Sequence, residues 1–205
     1  PPPVRTLFPY TTLFRSYRIT LTDGSFELEL GPAETLFIVF DKVSKGEPWK
    51  PLPVSAPNAL TLKNWQVELH HAREGWVKTT QMETPTDLKE TEWKDFAGTV
   101  VYRTKFDVNS SNAGDTVLNL GKVYGISQVL VNGVDCGVKW YGNRIYDIAD
   151  QLHTGSNEIE VRVVTVLGNY MHTLTDNATA QKFTAGRKEW PTLSLGILGP
   201  VTLYK

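Results

Sequence analysis

The sequence predicts an all-β protein, a β-sandwich or jelly roll preceded by a few strands of a truncated β-domain. Three observations carry this. Apolar and polar residues alternate with a period of two in many short runs, as in Glu158 to Thr165, where Ile159, Val161 and Val163 alternate with Glu160 and Arg162. Turn signals such as Asp23-Gly24 and Asn132-Gly133 separate the runs. No long stretch keeps a helical period, and about eight short strands with Gly/Asn turns fit two packed antiparallel sheets.

Thr6 to Ser16 reads Thr-Leu-Phe-Pro-Tyr-Thr-Thr-Leu-Phe-Arg-Ser. It resembles one translated reading frame of a widely used short-read sequencing adapter; the alternative is a natural strand. On the adapter reading, residues 1–16 carry no evolved information, the true N-terminal part is missing, and the lack of a visible signal peptide does not bear on localisation. Tyr17 to Leu21 then alternates as a strand, turns at Asp23-Gly24 and pairs with Phe26 to Leu30. Leu36 to Phe40 is apolar on both faces and reads as a buried strand. Residues 17–43 are thus expected to be terminal strands of an upstream β-domain. Residues 44–58 hold Pro48, Pro51, Pro53 and Pro57, which excludes a helix or central strand and predicts a semi-stiff linker.

The main domain is expected over residues 59–205. Trp65 to Leu69 is its first clear strand, and Trp76-Val77 continues after the Glu74-Gly75 turn. The polar stretch Thr79 to Asp95 contains a short helix at Asp87 to Trp93, with Asp87 and Glu90 at cap spacing. Strands follow at Thr99 to Val108, Thr116 to Leu120, Ile126 to Val131, Asp135 to Trp140, Arg144 to Ile148, Glu158 to Thr165 and Gly199 to Tyr204. Ser110 to Gly114 is a loop. Asn132-Gly133 tolerates the positive φ of a type I′ hairpin, Gly137 is expected to allow close backbone approach, and Gly155-Ser156-Asn157 to reverse the chain. Ala149 to Leu152 reads as a helical turn, and Asn169 to Asn177 as a long excursion before the closing strand.

Composition narrows the function classes. Hydrophobic residues make up 40% and charged residues 21%, which is globular rather than disordered. The 21 Lys+Arg nearly cancel the 22 Asp+Glu, so no basic surface tracks phosphates and a nucleic-acid partner is not expected. The longest clean apolar run, Leu36 to Phe40, is far below the ~20 residues of a membrane helix. A single cysteine, Cys136, excludes an internal disulfide framework and a Cys-rich zinc site.

Residues 126–165 run through Val-Asn-Gly, a Gly-ended return strand, Arg-Ile-Tyr-Asp-Ile, and a Gly-Ser-Asn turn into a Val-rich strand. This resembles the sugar-binding-like, galactose-binding-like β-sandwich of family 2 glycoside hydrolases. Trp65-Gln-Val, Phe96-Ala-Gly-Thr99 with Tyr102, Asn119-Leu-Gly-Lys-Val and Gly196-Ile-Leu-Gly-Pro-Val-Thr-Leu are similar to the C-terminal region of alpha-L-rhamnosidase-type family 106 enzymes. Leu28 to Phe40 is similar to the segment joining that region to earlier domains, so the resemblance covers about residues 17–205. It implies a non-catalytic accessory fragment of a bacterial enzyme, with a periplasmic or secreted parent whose catalytic carboxylates lie in an upstream barrel. Its partners would be carbohydrate or that missing domain. The sequence departs from the family at Tyr141-Gly142-Asn143-Arg144, where Pro before an aromatic is common.

The residues themselves assign no catalytic set. Glycoside hydrolysis uses two carboxyl groups flanking the sugar, and the acids here sit at surface-type positions such as Glu68, Glu158 and Glu160. Asp147 is the best single candidate, with capping of the Ala149 turn as its competing role. His70 and His71 are adjacent on a strand, point to opposite faces and cannot share a metal. His153 and His172 read as surface histidines, and Cys136 as a packing residue. No cofactor is expected, and bound calcium stays open. The candidate ligand-binding residues are Trp140, Tyr141, Asn143 and Arg144, an aromatic platform with hydrogen-bond donors that suits a polyol. The competing role for Trp140 is a plug at the sandwich edge. Trp93, Tyr170 and Trp190 are further loop-side aromatics, expected to pack. Asn109-Ser-Ser111 and Asn177-Ala-Thr179 match the glycosylation triplet. An adhesion or receptor module and a small hydrolase remain as alternative functions.

Overall fold

The computed structural model describes residues 17–18, 47–48, 52, 56–109, 116–184 and 191–204. The adapter-like segment, the Phe26 to Leu30 and Leu36 to Phe40 strands, the Ser110 to Gly114 loop and Trp190 lie outside the described residues. Two short strands come first, β1 (Tyr17–Arg18) and β2 (Glu47–Pro48), and they pair in parallel. The described part of Tyr17 to Leu21 thus finds its partner inside the Pro-rich stretch.

The six-stranded sheet contains β4 (Trp65–His71), β5 (Val77–Met82), β6 (Gly98–Val108), β9 (Ile126–Val131), β10 (Val134–Lys139) and β12 (Gly155–Val164). Its order is β10-β9-β12-β6-β4-β5, with every neighbouring pair antiparallel. The facing sheet has the order β11-β7-β14-β3, from β3 (Leu60–Thr61), β7 (Val117–Asn119), β11 (Ile145–Asp147) and β14 (Thr202–Tyr204). A side ribbon pairs β8 (Lys122–Tyr124) with β13 (Gly196–Gly199). This is the all-β sandwich that the alternating pattern predicts.

The core lies between the two large sheets. Val67, Leu69, Val100, Tyr102, Val129, Val131, Ile159, Val161 and Val163 project from the six-stranded sheet. They meet Leu118, Tyr146 and Leu203 from the facing one. The period-two burial of β12 follows directly: Asn157, Ile159, Val161 and Val163 are buried, while Arg162 is exposed.

Several expectations are refined by tertiary context. The predicted closing strand, Gly199 to Tyr204, forms only from Thr202 as β14; Gly199 ends β13, and Pro200 between them has no N–H to continue a ladder. β5 runs to Met82, through residues expected to be irregular; it is an edge strand, and Lys78 and Gln81 keep their polar side chains in solvent. The predicted Asp87 helix is one 3₁₀ turn, Leu88–Glu90, capped by Asp87. Gly155 to Asn157 opens β12 instead of reversing the chain. Nothing lies within 4 Å of a Cβ built on Gly137, so close approach is not its role. It sits at φ +112 in a register shift between Asp135 and Gly137, a bulge that only glycine enters without strain.

The expected excursion, Asn169 to Asn177, coincides with a short helix, α1 (Gly168–Thr173), and leads into a second, α2 (Ala178–Thr184). Buried Asn169 fixes α1: its Nδ2 donates to the carbonyls of Lys94 and Leu193, and its Oδ1 accepts from Leu193 N–H. Asn177, from the glycosylation triplet, accepts from Ala180 N–H as a helix cap. The described part of the Pro-rich stretch packs on the sandwich, with Leu52 and Ala56 against Val117, Ile145 and Tyr204.

Candidate functional site

The Trp140 to Arg144 loop joins β10 to β11 across the two sheets. Its floor is rigid for identifiable reasons. Tyr146 is buried, its hydroxyl lies 2.8 Å from Ser127 Oγ, and it donates to the Ser127 carbonyl at 3.0 Å. Burial pushes this phenol up to about 12, against the hydrogen bond from Ser127. Ser127 Oγ also donates to the Lys139 carbonyl. Lys139 Nζ lies 5.6 Å from the Tyr146 ring centre and 3.5 Å from the Asn143 carbonyl.

The four candidate residues divide into two groups. Trp140 is 56% exposed, so it does not plug the sandwich edge. Tyr141 lies edge-on to it, with ring centres 4.3 Å apart and planes at 69°. Asn143 is half-buried beside them. Arg144 is only 6% exposed, and its guanidinium donates to the carbonyls of Gly142 at 3.3 Å and Gly125 at 3.2 Å. It ties the loop to the chain entering β9. The loop therefore offers two aromatic surfaces, while its arginine is spent on backbone.

An apolar row continues from the platform. Lys139 pairs with Ser127, so Trp140 follows beside Ile126, and Ile126 pairs with Val164 on β12. All three side chains are exposed. Sequence reading did not find this row, because it is assembled by the register of β9 against β10 and β12 and not by a local sequence pattern.

Glu68 and Glu160 are held in ion pairs. Arg103 bridges Glu68 at 3.2 Å and Glu160 at 2.6 Å, and Arg162 adds a second contact to Glu160 at 2.6 Å. Burial works to raise the Glu160 carboxyl, but the hydrogen bonds from Arg103 and Arg162 outweigh it and hold it below the usual range. A general acid for glycoside cleavage needs the opposite shift. Asp147 Oδ1 accepts from Ala149 N–H at 3.2 Å, a local contact ahead of the 3₁₀ turn Ala149–Gln151, whose N-cap is Ile148 and carries no side-chain cap, so the expected capping role is not found.

His70 and His71 do face opposite ways. His70 pairs with Glu68. His71 is buried among Trp76, Phe96 and Tyr170, and its Nδ1 accepts from the N–H groups of Arg73 and Glu74. Cys136 is half-buried, and desolvation pushes its thiol up to about 11, far from a reactive thiolate. Among the described residues no three His, Cys, Asp or Glu side chains converge as a metal site, and no helix is long and apolar enough to cross a membrane.

No family model matches the chain. A rhamnosidase from Novosphingobium sp. PP1Y matches it in structure over 78% of this chain and 16% of its own, with a TM-score of 0.54 and 22% identity. A beta-D-mannosidase from Dictyoglomus thermophilum matches over 72% of this chain and 22% of its own, with a TM-score of 0.50 and 18% identity. The chain has the β-sandwich fold of a glycoside hydrolase domain. In sequence, a putative beta-glucuronidase from Formosa agariphila is 32% identical over 79 residues, which are 37% of this chain. The match spans 7% of that protein. The chain thus corresponds to a small part of each of these relatives, and the β-sandwich expected from the Val-Asn-Gly and Gly-Ser-Asn segments is the fold observed.

Proposed function

We propose that the chain is a non-catalytic accessory β-sandwich of a glycoside hydrolase, of the alpha-L-rhamnosidase type, and that Trp140 and Tyr141 form its carbohydrate contact. The observation that carries this is the fit to the Novosphingobium rhamnosidase, which takes in most of this chain and a sixth or less of that one. The arginine-bridged carboxylates support the non-catalytic part of the reading. In the contact, the apolar face of a sugar rests on the Trp140-Tyr141 pair and Asn143 reaches its hydroxyls. Arg144 is a positioning residue that holds the loop shut against Gly125.

A titration with rhamnose-containing oligosaccharides, read by calorimetry, tests the proposal. The expected Kd is ~0.1–1 mM, or about −4 to −5.5 kcal/mol. Tyr141→Ala should abolish binding and leave the melting temperature almost unchanged. Equal binding by Tyr141→Ala would move the contact elsewhere.

The exposed row of Trp140, Ile126 and Val164 favours a second reading, in which this face braces a catalytic domain. Isolated soluble domains rarely leave contiguous apolar strips uncovered. Absence of any sugar binding, with association to a separately expressed catalytic domain through this row, would select it.

A further inference from the structure

The six-stranded sheet ends at β10 on one side and at β5 on the other, and the two edges differ. β10 is bulged between Asp135 and Gly137, which bends its backbone away from regular pairing. β5 is six residues of regular ladder, Val77 to Met82, with no bulge and no proline. Among the described residues, β4 alone pairs with it.

The register shows which backbone groups β5 leaves open. His71 N–H donates to the Trp76 carbonyl at 3.0 Å, and Ala72 N–H turns the other way, to the Ala97 carbonyl at 2.9 Å. Antiparallel pairs alternate, so Lys78, Thr80 and Met82 exchange bonds with β4, while the N–H and C=O groups of Val77, Thr79 and Gln81 face outward. These three residues are exposed, and no described backbone group bonds to their outward groups. Lysine on an edge strand ordinarily blocks pairing by its charge. Here Lys78 Nζ is drawn over the rings of Trp76 and Trp93 instead, 5.0 and 4.9 Å from their centres.

The outward set is symmetric about Thr79. We propose that β5 is a self-association edge: it pairs antiparallel with β5 of a second copy, about a two-fold axis at Thr79, and joins the two six-stranded sheets into one. Thr79 then lies opposite Thr79 of the second copy, and Val77 opposite Gln81 of the second copy. Each of these pairs exchanges both of its backbone bonds, so no outward group is left over. A register centred elsewhere leaves at least one of the three without a partner inside β5. The side chains agree with this register. Facing threonines are favourable cross-strand neighbours. On the other face Lys78 meets Thr80 of the second copy rather than a second lysine, and Met82 meets Trp76 of the second copy, a thioether against an indole. A peptide of unrelated sequence would find the same open groups but gain nothing from the symmetry. The Trp140 loop follows β10 at the opposite edge, so pairing through β5 leaves it free.

The test is sedimentation velocity of the whole chain, with amide hydrogen exchange followed by NMR, from about 10 μM to about 1 mM. A contact along one edge strand falls below the ~800 Å² per partner of a stable interface, so the dimer should appear only toward the upper end. There the amides of Val77, Thr79 and Gln81 should become protected about tenfold or more, while those of Lys78, Thr80 and Met82 stay slow throughout. Thr79→Lys sets two ammonium groups against each other on the axis, and should stay monomeric with an unchanged melting temperature. Thr79→Cys in a Cys136→Ser background should cross-link to itself on oxidation, since residues paired in this way have Cα atoms ~5.5 Å apart. A wild type that stays monomeric at the highest concentration, with those three amides in fast exchange, would overturn the proposal. So would their protection in a monomer, because the chain itself would then cover the edge. Dimerisation that Thr79→Lys leaves intact would place the contact elsewhere and overturn it as well.

Discussion

Asn132 and Asn157 join two turns through their side chains: Asn132 Nδ2 donates to Asn157 Oδ1 at 2.8 Å. Each amide is otherwise occupied by backbone. Asn132 accepts from Glu158 N–H and donates to the Gln151 carbonyl. Asn157 accepts from His153 N–H and donates to the carbonyls of His153 and Gly155. The pair locks the β9-β10 hairpin, with Asn132 at φ 51 and Gly133 at φ 82, onto the turn that enters β12.

Asn157 is 1% exposed, and its loss removes the four hydrogen bonds that its side chain makes to Asn132, His153 and Gly155. Asn157→Ala should destabilise the fold by about 2–3 kcal/mol. Asn157→Asp should be no milder, since a second carboxylate oxygen would face two carbonyls in place of the amide NH₂. Urea unfolding measures both; a loss under about 0.5 kcal/mol for Asn157→Ala would mean that water replaces the lattice of bonds.

Asp87 ties two distant segments. Its Oδ1 accepts from Lys89 N–H at 3.0 Å and from Leu195 N–H at 2.9 Å. Burial works to raise its carboxyl, but hydrogen bonds from Ser194, Leu195 and Lys89 prevail and hold it below the ordinary range. The folded pKa is thus below the unfolded one. The stabilisation is fully present above the unfolded value, about 3.9, and is lost as pH falls through the folded value. Asp87→Ala should cost about 1–2 kcal/mol at pH 7 and less near pH 3. A gap from wild type that is the same at both pH values would contradict the ionic role.

Exposure separates two tryptophans that look alike in the sequence. Trp140→Ala should change stability by less than about 1 kcal/mol. Trp65 is fully buried, and its indole N–H donates to the Leu62 carbonyl at 3.2 Å. Trp65→Ala should cost about 3–5 kcal/mol. Thermal melts of the two variants decide this, and a similar large loss for both would return Trp140 to the core.

What was legible in the sequence was local. The Ile126 to Val131 strand appears at the predicted residues, and the Asn132-Gly133 turn adopts the predicted positive φ. Both follow from side-chain alternation and backbone sterics within a few residues. The two helices were not legible, because at six and seven residues they are too short for a helical period and are held by Asn169 and Asn177 rather than by an apolar stripe. Arg144 reads in sequence as a donor for a ligand, but its partner Gly125 is 19 residues away, and only the folded sandwich brings that carbonyl to it. The His71, Trp76, Phe96 and Tyr170 cluster was hidden for the same reason: Tyr170 reaches it from α1, closing onto Glu74 at 3.0 Å.

The non-catalytic role is tested most directly by release of aryl alcohol from aryl α-L-rhamnoside and aryl β-D-glucuronide by the purified chain. With Glu68 and Glu160 both engaged by Arg103, and Asp147 accepting from Ala149 N–H, the expected rate is that of buffer alone. Turnover above background that one Asp or Glu substitution abolishes, without loss of fold, would contradict the account.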